Sequence, residues 1–291
     1  MAPAQMLSTD LIRNDLDRWF IEDGFENGDV TSEVTIARSE RASLRLVARE
    51  AMVACGVEPM ARGIEAFDIG ITLVPTVAEG QAVSVGDEMG LLRGDLRGIL
   101  SFERTLLNVI GHVSGVATTT RQFVEAIAGT SAVITDTRKT TPGLRKWEKY
   151  AVVCGGGTSH REALDDAALF KDNHFIGLSP TEMGEALVIA IGRARADRDL
   201  SFVEVEVDTL AQCDVVLQLD GVDIILLDNM PPDMMREAVS RRDALGSNMM
   251  LEASGGITLE TVRAAAETGV DRIAVGAVTR DARILDIGLD A

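Results

Sequence analysis

From Val133 onward, short apolar runs alternate with longer amphipathic stretches. The runs are AVITDT, ALFKDN, FVEVEVD, DIILLDN, MMLEASGG and RIAVGAV, separated by segments such as TLETVRAAAETGV. Runs rich in Val, Ile and Leu with helical segments between them predict parallel strands joined by right-handed crossovers, an α/β fold. Six or so such repeats favour a closed barrel over an open sheet, although the pattern alone leaves closure open. The first hundred residues read differently. ASLRLVARE and MVACGVE have strand character, and the Gly-punctuated VAEGQAVSVGDEMGLLRGDLRG predicts short strands and turns, so this part forms a separate α+β domain. Between the two lies ILSFERTLLNVIGHVSGVATTTRQFVEAIA. Its Leu106, Val109, Ile110, Val113 and Val116 recur at three- and four-residue spacing and predict one long helix joining the domains.

Composition narrows the function. The chain has 291 residues, 46% of them hydrophobic, which is ample for buried cores and excludes wholesale disorder. Its 28 Lys and Arg stand against 46 Asp and Glu, a net charge of -18, which argues against a general binder of nucleic acid or anionic membrane. Cys55, Cys154 and Cys213 lie far apart with no CxxC pair, so spacing indicates neither a disulfide framework nor a zinc site, and free thiols in a reducing cytoplasm are expected. The opening MAPAQMLSTDLIRNDLDRWF is broken by Asp10, Arg13 and Asp15 before a signal-like core develops, and no apolar run reaches membrane-spanning length. A cytoplasmic protein with no membrane segment is expected.

Against this acidic background, residues 135–150, TDTRKTTPGLRKWEKY, carry Arg138, Lys139, Arg145, Lys146 and Lys149 against only Asp136 and Glu148. A local basic patch on an acidic chain points to a small anion. Lys146 and Lys149 bracket Trp147 and Glu148 as a helix face does and read as solvated. In parallel barrels, ligands bind at the carboxyl ends of strands, and nearly every predicted strand offers a polar residue there. Arg138 and Lys139 follow VITDT, Lys171 follows ALF, Glu204 and Glu206 lie in FVEVEVD, Asp228 ends IILLD, Ser254 with Gly255 and Gly256 ends LEASGG, and Gly276 ends IAVG. Glu204 and Glu206, two apart, share one strand face. Buried there, they would have raised pKa values unless Mg²⁺ or another positive charge offset their desolvation. Asp208 falls nearer the loop, where capping the next helix is an equally good role. Backbone N–H groups of Gly255, Gly256, Gly276 and Ala277 are candidates for a phosphate cradle, assisted by a helix after Thr258. Arg138, Lys139, His160, Arg161 and Lys171 then gather from neighbouring strand ends, and guanidinium groups suit carboxylates.

The motifs DTRKTTPGLR, EKYAV, CGGG, HR, KDNH, EVEVDTL, LLDNM, LEASGGI and VGAVT, with GDVTSE and FERTLLN upstream, occur in an order that resembles the quinolinate phosphoribosyltransferase family over almost the whole chain. The resemblance implies an N-terminal α/β sandwich domain over residues 1–115 and a C-terminal parallel α/β barrel, open or incomplete, over 116–277, with residues 278–291 packing back on the first domain. It implies transfer from phosphoribosyl pyrophosphate (PRPP) to quinolinate with Mg²⁺, decarboxylation to nicotinate mononucleotide, and a homodimer or higher homo-oligomer. On that basis Lys139, Lys171, Glu206 and Asp228 are catalytic, with Glu206 and Asp228 serving Mg²⁺ directly or through water. Arg104, Arg138, His160 and Arg161 bind substrate, while Ser254, Gly255, Gly256, Gly276 and Ala277 hold the 5′-phosphate. Arg104 flanks the helical stripe of Leu107 and Ile110, and in the resembled family the matching arginine enters the partner subunit's site. Ser159 and Ala163 depart from the family's usual Asn and Gly beside the anion pocket, which bears on substrate preference more than on fold. Two other readings are a homologue associated with molybdenum transport and a silent ligand sensor. KDNH and the full TRKTTPGLR favour the quinolinate enzyme over the first, and the intact Lys139, Lys171, Glu206 and Asp228 argue against the second.

Overall fold

A computed structural model of the chain describes residues 6–291. The chain divides into two compact units. The first runs to Arg121 and includes Thr141–Gly156 and Asp281–Ala291, and the second comprises Gln122–Thr140 and Gly157–Arg280.

In the first unit, helix α1 (Thr9–Glu22) starts at Ser8, whose side chain accepts a hydrogen bond from Leu11 N, and the short α2 (Val30–Thr35) is capped likewise by Asp29. Strands β1 (Arg41–Ala48) and β2 (Met52–Val53) precede α3 (Val57–Phe67), and β3 (Ile71–Pro75), β4 (Ala82–Val83) and β5 (Glu88–Asp95) precede the long α4 (Leu96–Ala126). Of the periodic stripe predicted for α4, Leu106, Ile110, Val113 and Val116 are buried and Val109 is half-buried, and Ile99 and Phe102 extend the packed face. Helix α5 (Arg145–Cys154) packs with this unit and not with the parallel strands. Its Trp147 is fully buried, with Nε1 donating to Asp15 Oδ2 at 2.8 Å. Lys149, expected in solvent beside Lys146, is also fully buried, because this helix presents consecutive residues from Trp147 to Val152 to packed surroundings on more than one side. Lys146 is exposed as expected.

The second unit is a parallel sheet of β6 (Val133–Thr135), β7 (Ala168–Phe170), β8 (Val203–Val207), β9 (Ile224–Asp228), β10 (Met250–Ser254) and β11 (Arg272–Ala274), in the order β6-β11-β10-β9-β8-β7. These are the six predicted runs. The central β9 is buried along Ile224–Leu227, which is why it reads as an unbroken apolar run. The sheet is open: among the described residues β6 and β7 do not pair, and the free side of β6 carries only a bridge from Thr135 to Thr158. Helices α6 (Pro180–Asp197) and α7 (Leu210–Val216) begin with capping boxes, Ser179 with Glu182 and Thr209 with Gln212. Thr209, and not Asp208, is therefore the cap of α7. Helix α8 (Pro232–Ala244) starts with proline, and α9 (Val262–Ala266) and α10 (Ala277–Arg280) are short.

Strand β12 (Ile287–Asp290) belongs to the first unit and pairs antiparallel with β1, giving the sheet order β12-β1-β5-β3. The segment leading to it lies against α4, where a Cβ on Gly115 would stand 1.9 Å from Arg283 O. Only glycine permits that approach. No helix among the described residues is long and apolar enough to cross a membrane.

Candidate active site

In the second unit, the candidates lie at or just beyond the carboxyl ends of the parallel strands. Arg138 and Lys139 follow β6, Lys171 follows β7, Glu206 lies near the end of β8, Asp228 ends β9, Ser254 ends β10, and Gly276 follows β11. The positive charge that offsets the β8 carboxylates comes from the protein itself. Lys171 Nζ meets Glu206 Oε2 at 2.5 Å, with the lysine side chain 41% exposed and the glutamate 9%.

Glu204, two residues earlier on the same face, enters a deeper cluster. His160 Nε2 lies 3.0 Å from Glu204 Oε2 and 3.2 Å from Glu252 Oε1, and both carboxylates are fully buried. Arg272 Nε lies 2.7 Å from Glu252 Oε2, in keeping with the β10–β11 register that sets Glu252 opposite Arg272. Phe202 closes the group, its ring edge-on to His160 at 5.2 Å between centroids and beneath the Arg272 guanidinium at 5.8 Å. Burial raises the pKa of Glu204; it would raise that of Glu252 too, but His160 and Arg272 outweigh it and hold Glu252 below the usual carboxylate range.

Burial alone would lower the His160 pKa, but the hydrogen bonds with Glu204 and Glu252 prevail and push it up to about 9. A second contact opposes the extra proton. Arg161 N donates to His160 Nδ1 at 2.8 Å, and Nδ1 accepts that bond only through the lone pair that protonation removes. We assign the neutral ring with its hydrogen on Nε2, directed at the two carboxylates, and the additional proton to Glu204. Both ring nitrogens are thus engaged within the protein. The His160 backbone N–H donates to Asp136 Oδ1 at 2.8 Å, so the main chain is anchored as well as the ring, and the ring in turn fixes the backbone of Arg161.

Arg161 and Arg138 are both partly buried. Burial lowers the Arg161 pKa, and the nearby Arg138 charge lowers it further. Arg138 Nε is buried with no hydrogen-bond partner among the described residues. Arg161 Nη1 donates to Ala167 O at 3.2 Å, and the two neighbouring, partly desolvated guanidinium groups, with Arg138 Nε unpaired, form a site that an anion with more than one carboxylate would satisfy.

Lys139 is anchored through its backbone. Its N–H donates to Thr137 Oγ1 at 3.0 Å, and its carbonyl accepts from Thr279 Oγ1 at 2.9 Å. Its side chain crosses Gly276, where an added Cβ would stand 3.0 Å from Lys139 Cδ. Asp228 Oδ2 accepts from Asn229 Nδ2 at 2.6 Å, and Asn229 has left-handed backbone, φ 52°. Gly255 and Gly256 are left-handed as well, with φ 92° and 59°, and a Cβ on Gly255 would meet Asn229 Oδ1 at 2.2 Å. The glycine turn is therefore built against the end of β9, next to Asp228. The helix expected after Thr258 starts at Val262, because Thr258–Thr261 form a hydrogen-bonded turn first, and α9 has only five residues. Its dipole contributes little, and a phosphate cradle here depends on the backbone turns at Gly255–Gly256 and Gly276–Ala277.

Sequence reasoning missed Glu252, Arg272, Asn229 and Asp136. Glu252 within MLEAS and Arg272 before IAVG were visible as charges inside apolar runs, which is the signal of a buried ion pair; Asn229 carried no such signal. Asp208, set aside as a cap, has its pKa raised by burial and by Asp172 and Asp228, which places three carboxylates within electrostatic reach at the strand ends. Arg104 lies in the first unit, exposed on α4, and lines a cavity of about 790 Å³ with Asn108, His112 and Trp147.

Comparison with known proteins places this geometry. The family description "Quinolinate phosphoribosyl transferase, N-terminal domain" matches residues 29–114, and the corresponding C-terminal domain matches residues 116–290. The nicotinate-nucleotide pyrophosphorylase [carboxylating] of Mycobacterium leprae is 41% identical over 283 residues, 97% of each chain. The probable enzyme of the same name from Bacillus subtilis is 36% identical, covering 94% of this chain and 91% of that one. Among solved structures, the nicotinate-nucleotide pyrophosphorylase of Francisella tularensis superposes with a TM-score of 0.86 at 34% identity, covering 97% of this chain and 96% of the other.

Proposed function

The chain belongs to the quinolinate phosphoribosyltransferase family, and from that premise we propose that it joins quinolinate to PRPP. The products are nicotinate mononucleotide, pyrophosphate and CO₂, on the route to NAD. The observation that carries the family's activity to this chain is the Arg138–Arg161 pair, mutually repelling and partly desolvated, which a dicarboxylate relieves.

The bound dicarboxylate presents its ring nitrogen to the anomeric carbon of PRPP. That nitrogen forms the new C–N bond as the pyrophosphate C–O bond breaks, so positive charge grows on the ribose while both bonds are long. Glu206 and Asp228 face that charge, and their contribution is greatest in the transition state. Lys171 pairs with Glu206 and holds it oriented until then. Lys139, lying across Gly276, suits the leaving pyrophosphate, and the turns at Ser254–Gly256 and Gly276–Ala277 suit the 5′-phosphate. Decarboxylation follows: the bond to the 2-carboxylate breaks, its electrons remain on the ring carbon beside the new cationic nitrogen, and a proton replaces the lost CO₂. No covalent nucleophile is needed. His160 acts through Arg161 as a positioning residue.

Mg²⁺ suits the donors here. Glu206 Oε2 faces Lys171 and Asp228 Oδ2 accepts from Asn229, which leaves the other oxygen of each carboxylate for a hydrated, hard cation shared with phosphates. When bound, Mg²⁺ would be held by Glu206 and Asp228 and would supply positive charge that stabilises the leaving pyrophosphate. A homo-oligomer in which Arg104 completes a second copy's site fits the exposure of that arginine on α4. Incubation with quinolinate, PRPP and Mg²⁺ should give nicotinate mononucleotide, with nicotinate and nicotinamide inert in parallel reactions. Absence of product, or preference for nicotinate, would reject the reading.

A further inference from the structure

The first unit holds a side-chain cluster that the phosphoribosyl chemistry does not use. Cys55, Glu79 and Cys154 are widely separated in sequence, yet one donor atom from each lies within 4.8 Å of the others. Three separate elements bring them together. Cys55 directly precedes Gly56, the cap of α3; Glu79 lies in the turn between β3 and β4; Cys154 ends α5. Cys55 is 0% exposed and Cys154 6%. Tyr150, one helical turn before Cys154, adds a second and independent observation. The residue is fully buried, and its hydroxyl, which makes no hydrogen bond of good geometry among the described residues, lies close enough to Glu79 to interact with it and senses the charge of Cys55 and Cys154 as well. Glu79 is already oriented: Gly56 N donates to its Oε2 at 2.6 Å and Glu58 N to its Oε1 at 3.0 Å, leaving a lone pair on each oxygen for another bond.

We propose that Cys55, Cys154 and Glu79, with the Tyr150 hydroxyl facing them, form a site for a thiophilic divalent cation such as Zn²⁺. Tetrahedral coordination with bonds of about 2.3 Å to sulfur and about 2.0 Å to oxygen separates donor atoms by roughly 3.5–3.8 Å. The cluster reaches that geometry by a contraction of at most about 1.3 Å. Two soft sulfurs with one carboxylate select zinc-like ions over Mg²⁺. Binding replaces the thiol protons of Cys55 and Cys154 with the ion. The step balances as M²⁺ plus two thiols giving a dithiolate complex and two protons. The ion would fasten the end of α5 and the β3–β4 turn to the start of α3, all within one unit.

The test is to strip the full-length reduced protein with a chelator and titrate it with Co²⁺, then Zn²⁺. One Co²⁺ per chain should bind with intense thiolate-to-cobalt absorption, release about two protons, and be displaced by Zn²⁺. Cys55→Ser should at least halve the absorption and weaken Zn²⁺ binding at least about tenfold, and Tyr150→Phe should weaken it by up to about tenfold. Cys213→Ala, which alters a buried thiol in the other unit, should change nothing. If Cys55→Ser folds poorly, Glu79→Gln serves in its place, with loss of affinity again expected. No stoichiometric uptake, uptake without the thiolate band, a band of undiminished strength in Cys55→Ser, or unchanged affinity in Glu79→Gln overturns the proposal. So does a Cys55–Cys154 disulfide that resists reduction in the metal-free protein.

Discussion

Arg272→Met isolates the energetics of the cluster that holds His160. The substitution keeps much of the apolar stem and removes the cation 2.7 Å from Glu252, whose side chain is fully buried, whereas that of Arg272 is 12% exposed. At an effective dielectric of about 20, unit charges about 3 Å apart attract by roughly 5 kcal/mol, but desolvation cancels most of that for the intact pair. Breaking the pair is different, because the carboxylate stays buried without its cation, at a cost of about 3–5 kcal/mol. His160 remains 3.2 Å from Glu252 and supplies one compensating contact, so the lower end, about 3 kcal/mol, is expected. Glu252→Gln in the same chain removes the orphaned charge. The double variant should therefore be about 2 kcal/mol more stable than the two single effects predict. Global unfolding of a two-unit chain superimposes transitions, so amide hydrogen exchange in β8, β10 and β11 is the better measurement. Arg272→Met should speed exchange there about 100-fold, with at least about tenfold recovered in the double variant, since about 1.4 kcal/mol corresponds to tenfold. The KM for quinolinate should rise alongside, because a loosened His160 frees Arg161. Additive single effects, or unchanged protection in Arg272→Met, would refute the reasoning.

Glu206→Gln and Asp228→Asn should lower kcat far more than they raise KM, since their charge matters most as the ribose becomes cationic; a loss confined to KM contradicts the assignment. Gly255→Ala, forced to φ 92° with its Cβ on Asn229, should weaken PRPP binding by more than about tenfold and leave quinolinate binding intact in calorimetry, whereas equal loss of both would mean collapse of the sheet end. Glu204 has a raised folded pKa, so the stability it contributes is full below the ordinary value of 4.5 and is lost as pH rises through the folded value; β8 protection should fall over that window in the wild type and stay level in Glu204→Gln. Arg104→Ala and Lys139→Ala proteins should each be inactive and regain about a quarter of wild-type activity when refolded together, because half the dimers are mixed and each mixed dimer has one intact site; mixed dimers without activity would confine Arg104 to its own chain.

The sequence by itself determined the order of strands and helices in the second unit, because a strand buried on both faces must be apolar throughout and its crossover helix must be amphipathic. It also located the candidate site residues at one end of that sheet, since Arg138, Lys139, Lys171, Glu206 and Asp228 each follow or end such a run. Side-chain pairing was decided only by tertiary structure. Glu204 and Glu206 look alike in EVEV, yet one strand step sends the first into a fully buried cluster with His160 and the second to Lys171. Lys149 looked solvated because a charged helix position is usually a surface position, and the fold buried both sides of α5. Openness of the sheet depended on whether β6 and β7 meet, which strand patterns do not encode. Cys55 and Cys154 offered no motif because motifs record neighbours along the chain, while a metal or ion-pair site needs only neighbours in space.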